Sequence, residues 1–243
     1  MKTIIAFSFF LFVAAGQTVA QDAQEIVRLC DSVTYAPDDQ VSGIRMILTD
    51  SKGREQERQA IATQMGNHHR LFRFTAPASQ EGIAFLSLPD DVMYVYLPAY
   101  DKARRIASHV KNQSFAGTDL SYDDMESVPL AEKYDVKLLE STDEHYLLEM
   151  LPKAGAKSDY SKMLTRIHAR HYTILSSDYY DRGGNKVKAM QNNEIENIDG
   201  YWIITDMSMN DLKKNHSTRM IFTATRINTG LTEDDFSVRL LSR

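Results

Sequence analysis

The side chains best equipped for chemistry in this sequence are seven histidines, one cysteine and a group of acids between Asp119 and Glu126. Zinc sites draw on His, Cys and carboxylate ligands at short, fixed spacings. His68 and His69 are adjacent, and His168 and His171 are separated by Ala169 and Arg170, but neither pair belongs to an HExxH, and a single Cys30 cannot form a CxxC. No serine stands in a GxSxG turn, and the phosphate-binding P-loop and GxGxxG patterns are absent. Asp119, Asp123, Asp124 and Glu126 lack the alternating order of a calcium loop, and Gly117 precedes the acids instead of interrupting them. These residues point away from catalysis, metal and cofactor, and the acidic group reads as a solvated loop in which Thr118 or Asp119 caps a helical turn.

What the sequence does supply is a large stock of apolar, adaptable side chains. Its eleven methionines matter because a thioether chain fits irregular and changing contours. From composition alone an ordinary core accounts for them, and an apolar cavity is only compatible. If there is a cavity, strand position selects Met46, Leu48, Phe72, Phe74, Phe85, Met93, Val95, Leu97 and Met207 as its lining.

The elements that must position these residues follow from periodicity. Ala23, Ile26, Val27 and Cys30 fall at helical spacing behind Asp22, with Glu25 at the capping-box position, so one amphipathic helix is expected up to Tyr35. Pro37 ends it, and the period then changes to alternation. Strands are expected at 41–49, 54–65, 69–74, 83–88, 92–97 and 103–106, then at 134–140, 146–151, 162–168, 173–180, 187–195, 201–209 and 216–227, with turn residues such as Gly183-Gly184-Asn185 between them. Between Val110 and Leu130 the alternation lapses into a long loop, a kind of segment that is often functional. The fold class is mainly β: an antiparallel sheet wrapping most of the way into a barrel, with one N-terminal helix and one mid-chain loop, as a single domain over residues 21–243.

The first twenty residues have the layout of a cleavable export signal. Lys2 gives the positive start, Ile4 to Ala15 the apolar run, and Thr18-Val19-Ala20 the small residues read by a peptidase, so cleavage is expected after Ala20. The apolar run is shorter than the roughly 20 residues that span a bilayer. Cys30 lies too far downstream to be a lipidation site, and one cysteine allows no internal disulfide. Without Lys2 the basic residues number 27 against 33 acidic, a formal charge of −6 that argues against a nucleic-acid partner.

Several motifs occur in a suggestive order: Phe85-Leu86-Ser87-Leu88, then Met93-Tyr94-Val95-Tyr96-Leu97-Pro98-Ala99, Arg104-Arg105-Ile106, and Ser114-Phe115-Ala116-Gly117-Thr118-Asp119-Leu120-Ser121-Tyr122-Asp123-Asp124. Tyr179-Tyr180-Asp181, Met207-Ser208-Met209, His216-Ser217-Thr218 and Phe236 to Leu240 continue it. This order resembles the outer-membrane lipoprotein-sorting proteins of the LolA-like group, with Tyr96, Pro98, Phe115, Gly117 and Tyr122 as the motif residues. The resemblance implies a strongly curved, unclosed antiparallel barrel whose apolar concave side is covered by helices and loops. It also implies a soluble, monomeric, chaperone-like carrier in the periplasm for an acylated lipoprotein or lipid, with an inner-membrane transporter as donor and an outer-membrane acceptor. The need for a carrier is physical: an acyl chain of about 16 carbons costs on the order of 12 kcal/mol to leave in water.

In that group an inward arginine bonds the covering elements. Arg104 and Arg105 are neighbours in a strand and point to opposite faces, so one of them is expected to meet Asp119, Asp123 or Asp124 as a latch. Two other classes of function compete with the carrier. One is an interaction module serving an RND-type exporter; the other, a hydrolase of envelope lipids, lacks a visible nucleophile or metal.

Overall fold

Alternating side chains dominate from Asp39 onward, and the computed structural model turns them into one large sheet. It describes residues 22–156, 158 and 160–242; the export signal and its cleavage site lie outside them. A helix, α1 (Ala23–Thr34), precedes β1 (Asp39–Thr49), β2 (Glu55–Met65), β3 (His69–Ala76), β4 (Ala84–Leu88), β5 (Val92–Leu97) and β6 (Lys102–Arg105). After a long connection come a one-turn helix, α2 (Leu130–Lys133), and β7 (Tyr134–Ser141), β8 (His145–Pro152), β9 (Lys162–His168), β10 (Ile174–Tyr180), β11 (Lys186–Ile198), β12 (Tyr201–Asp211) and β13 (His216–Ile227). Every expected strand is present.

The thirteen strands form one antiparallel sheet, ordered β6-β5-β4-β3-β2-β1-β13-β12-β11-β10-β9-β8-β7. Two meanders are thus joined along a seam between β1 and β13, where Met46 faces Met220 and Leu48 faces Thr218. The edges β6 and β7 do not pair, so the curved sheet stays unclosed, as the LolA-like resemblance implies. The segment between them, residues 106–129, runs from one edge to the other.

On one face of the sheet lies α1, with Asp22 as its N-cap, the carboxylate accepting the Gln24 N–H at 3.1 Å. Glu25 does not complete a box but pairs with Arg28. Ile26, Val27 and Cys30 are buried against Leu148 and Met150 of β8 and Met163 and Ile167 of β9. Asp31 accepts the N–H groups of Leu130 and Ala131, both at 2.8 Å, which fixes the start of α2. Burial pushes the Cys30 thiol up to about 12, so it stays a neutral core group.

The chain's end covers the other face. Two short 3₁₀ turns, Glu233–Phe236 and Val238–Ser242, bury Phe236 and Leu241 against Ala84 and Leu86 of β4 and Tyr96 of β5. This explains why both Phe85 and Leu86 are buried: β4 is covered on both faces.

Asp39 ties that end to β1. Its carboxylate accepts the Thr229 N–H and hydroxyl, at 2.8 and 2.6 Å, and the N–H groups of Gly230 and Leu231, at 2.8 and 3.0 Å. Burial opposes its charge, but these donors outweigh burial and hold the carboxyl below its ordinary range. Asp39→Ala is expected to cost about 2–3 kcal/mol, read as a melting temperature lower by roughly 5–10 °C. A lowered carboxyl stabilises the fold above its unfolded value near pH 4 and stops doing so as the pH falls through its folded value. The gap between wild type and variant should therefore narrow in acid; a gap that stays constant there would show that Asp39 acts by packing and not by charge.

Candidate functional site

The face of the sheet that carries α1 is also the face over which residues 106–129 fold, and the space between is apolar. Ile44, Met46 and Leu48 of β1, Phe72 and Phe74 of β3, Phe85 of β4 and Met93 of β5 are all buried in one cluster there. Their alternation with outward neighbours places them on a single face. Val95 and Met207 pack against the same cluster, whereas Leu97, at the end of β5, is half-buried and outside it.

The cover supplies the other half of this cluster. Phe115 is the centre, its ring 5.6 Å from both Phe72 and Phe74, 5.9 Å from Phe85 and 5.8 Å from Tyr122. A tight turn presents it: Ala116 and Gly117 have φ of 49° and 76°, and the Phe115 N–H reaches the Leu120 carbonyl at 2.8 Å. Glycine takes the second position without a side-chain penalty. The Thr118 hydroxyl donates to the Phe115 carbonyl and is not a helix cap. The helical turn that follows is capped by Ser121 instead, which exchanges bonds with Asp124 at 2.8 and 3.1 Å.

A cavity of about 250 Å³ remains between cover and sheet. Of the residues expected to line it, Met46, Phe72 and Met207 do so; the others lie under Phe115 or at the cluster's margin. Sequence reasoning missed much of the wall: Ile44, Met220 and Phe222, the C-terminal end of α1 at Val33, and Trp202 with Ile203 and Ile204. The alternation of β13 could have signalled Met220 and Phe222.

Two inward arginines hold the cover. Arg58 of β2 donates through Nη1 to the Ala116 carbonyl at 2.6 Å, its guanidinium 5.6 Å from the Phe74 ring centre. Arg70 of β3 donates to the Met125 carbonyl at 3.4 Å and to Gln64 at 2.7 Å. Burial lowers both guanidinium groups from their ordinary values. Arg104 and Arg105 are exposed on the edge strand β6, and Arg104 lies over the Tyr100 ring at 4.9 Å.

The cover's acids have other partners than Arg104 or Arg105. Asp119 is buried, bonded at 2.7 Å to both His216 Nδ1 and the Thr218 hydroxyl of β13. Asp123 pairs with Lys133 at 2.8 Å, and Glu126 with Lys133 at 2.9 Å and Lys111 at 3.3 Å. Asp124 pairs with Lys188 of β11 at 2.8 Å and accepts the Tyr160 hydroxyl at 3.1 Å. Burial works against the Lys133 charge, but Asp123 and Glu126 more than offset it and hold the ammonium above its ordinary range. The acidic segment is therefore a buried, bonded element, not a solvated loop.

The remaining motif residues serve the framework. Tyr96 sits on the opposite face under the C-terminal turns and donates to Asp101 at 2.9 Å. Pro98 opens the turn after β5, and a Cβ at Gly82 would stand 3.0 Å from it. Among the described residues no group of three or more His, Cys, Asp or Glu side chains is placed to hold a metal, and no helix is long and apolar enough to cross a membrane.

Comparison with known proteins agrees with this geometry. Residues 66–243 match a family model described as "Uncharacterized protein". No curated protein matches the sequence. Among solved structures, a DUF1329 family protein from Desulfovibrio piger is 26% identical over 90% of this chain and 97% of its own, with a TM-score of 0.84. An outer membrane lipoprotein-sorting protein domain from Vibrio parahaemolyticus is 26% identical over 91% of this chain and 100% of its own, at 0.82. A LolA superfamily protein from Nitrosomonas europaea shares the fold at 0.74, with 21% identity over 88% of this chain and 97% of its own. With well over half its length matched, the chain belongs to the family that this model describes, and its fold is that of the LolA-like lipoprotein-sorting proteins.

Proposed function

We propose that this protein is a periplasmic carrier that takes up the acyl chains of a lipoprotein or lipid beneath the 106–129 cover and moves them toward the outer membrane. The observation that carries this reading is the way the concave apolar face is closed. A sheet that needed only a core could pack against helices or a second sheet. Here a non-regular segment inserts Phe115, Leu120 and Met125, is held by two arginines, and leaves an apolar cavity behind it.

A cavity of about 250 Å³ falls below the roughly 300–1,000 Å³ usual for small-molecule sites. Under the closed cover there is too little room for an acyl chain, so loading requires Phe115 to leave. The export signal supports a place outside the cytoplasm, and the lipoprotein-sorting name of the Vibrio parahaemolyticus domain supports the cargo class.

Trp202 is the sole tryptophan and borders the cavity, so it reports directly on occupancy. Acyl chains brominated at mid-chain should quench its fluorescence saturably, at one or two chains per protein, and unbrominated chains should compete. Saturating brominated lipid that leaves Trp202 unquenched would sink the carrier reading.

A further inference from the structure

The cover is fastened to the wall partly by buried ion pairs, which apolar packing alone does not require. Asp123 and Asp124, on the cover, face Lys133 of α2 and Lys188 of β11; the four side chains retain between 4 and 15% of their exposure. Removing one partner of a buried pair is strongly destabilising because the other charge is left uncompensated. Withdrawal of the cover would therefore strand two ammonium groups at the edge of the space it vacates.

That edge is a boundary between two compartments. Leu120, Asp124 and Met125 border the apolar cavity. Ser121 and Asp123, on the same turn, border a second recess of about 700 Å³ whose lining carries Lys111, Arg182, Lys188 and Lys213 against Asp211. A molecule that displaced the turn would meet hydrocarbon on one side and cationic side chains on the other.

We propose that the ligand is an anionic amphiphile, whose phosphate or carboxylate head pairs with Lys133 and Lys188 in place of Asp123 and Asp124 while its acyl chain fills the cavity. This rests on the carrier reading and narrows it. The cover's carboxylates then stand in for the head group while the cover is closed, so exchange of cover for a phosphate head leaves neither ammonium unpaired. Neutral amphiphiles of equal chain length cannot provide that exchange. A phosphate monoester, with about −1.5 to −2 charges at pH 7, replaces both carboxylates, whereas a single carboxylate head replaces only one of them, so the phosphate head balances both ammonium groups without a co-reactant.

The test compares dodecyl phosphate with neutral monolauroyl glycerol, both below their aggregation limits, by Trp202 fluorescence on the full protein. Wild type should bind dodecyl phosphate about tenfold more tightly, the size of one charge-assisted hydrogen bond. Lys188→Gln should lose most of that preference while binding monolauroyl glycerol at least as well, and Lys188→Arg should keep it. Equal binding of the two amphiphiles by wild type overturns the proposal and leaves the carrier reading intact. So does a preference unchanged in both Lys188→Gln and Lys133→Gln. Displacement of dodecyl phosphate by inorganic phosphate at similar concentration would mark a free-anion site and also overturn it. If neither amphiphile binds, the carrier reading itself has failed.

Discussion

Replacing Arg58 with alanine is expected to loosen the cover by roughly ten- to a hundredfold while the sheet stays intact. The guanidinium donates to the Ala116 carbonyl at 2.6 Å from a largely buried position, and a hydrogen bond from a charged donor contributes about 1.5–3 kcal/mol. Its place near the Phe74 ring adds a cation–π contact that alanine also removes. Because Arg58 touches the cover through residue 116, the effect should be local. Amide hydrogen exchange across residues 113–122 should quicken by the stated factor, whereas the β1–β13 seam should be unchanged. Arg58→Lys keeps a charge but not the planar fork, so it should recover only part of the protection. Wild-type exchange rates in Arg58→Ala would mean that aromatic packing alone keeps the cover closed.

Phe115→Ala separates the two jobs of the apolar cluster. Truncating a buried phenylalanine costs about 3–5 kcal/mol, which for a chain of this length lowers the melting temperature by roughly 5–15 °C. If Phe115 only completed a core, ligand binding would fall with stability. In a carrier the ring is a plug that the acyl chain must displace, and its removal enlarges the cavity under the cover. Affinity for an acyl probe should then rise, by up to the same free energy, as stability falls. Opposite signs in a thermal melt and a Trp202 titration are the expected signature; parallel losses would speak for an ordinary core.

The strands were legible in the sequence because their signal is local: alternation and turn residues place all thirteen and the long interruption between β6 and β7. Part of the concave face was legible for the same reason, since Met46 and Leu48, or Phe72 and Phe74, share a face by spacing alone, but most of the cavity wall was not. What holds the cover was not. Arg58 stands between Glu57 and Gln59 and looks like part of a solvated run; only its phase with Ala60 and Ala62 hints that it faces inward. Arg104 and Arg105 drew attention as a doublet, yet β6 is an edge with solvent beside it. The partners of Asp119 lie on β13, nearly a hundred residues on, and no local pattern names them. Alternation also fails for β4, where cover and C-terminus bury both faces at once.

The seam has a kinetic consequence. Each meander can zip up from neighbouring hairpins, but β1 and β13 must find each other from opposite ends of the chain, so the pairing of Leu48 with Thr218 closes the longest loop in the sheet. Sheets dominated by such distant pairings fold in milliseconds to seconds, far more slowly than helical domains of similar size. Until the seam forms there is no trough for an acyl chain and no floor for the cover. A chain proposed to cross a membrane before it folds has use for that delay: the two halves remain threadable during passage, and binding capacity arises only once the longest-range pairing closes.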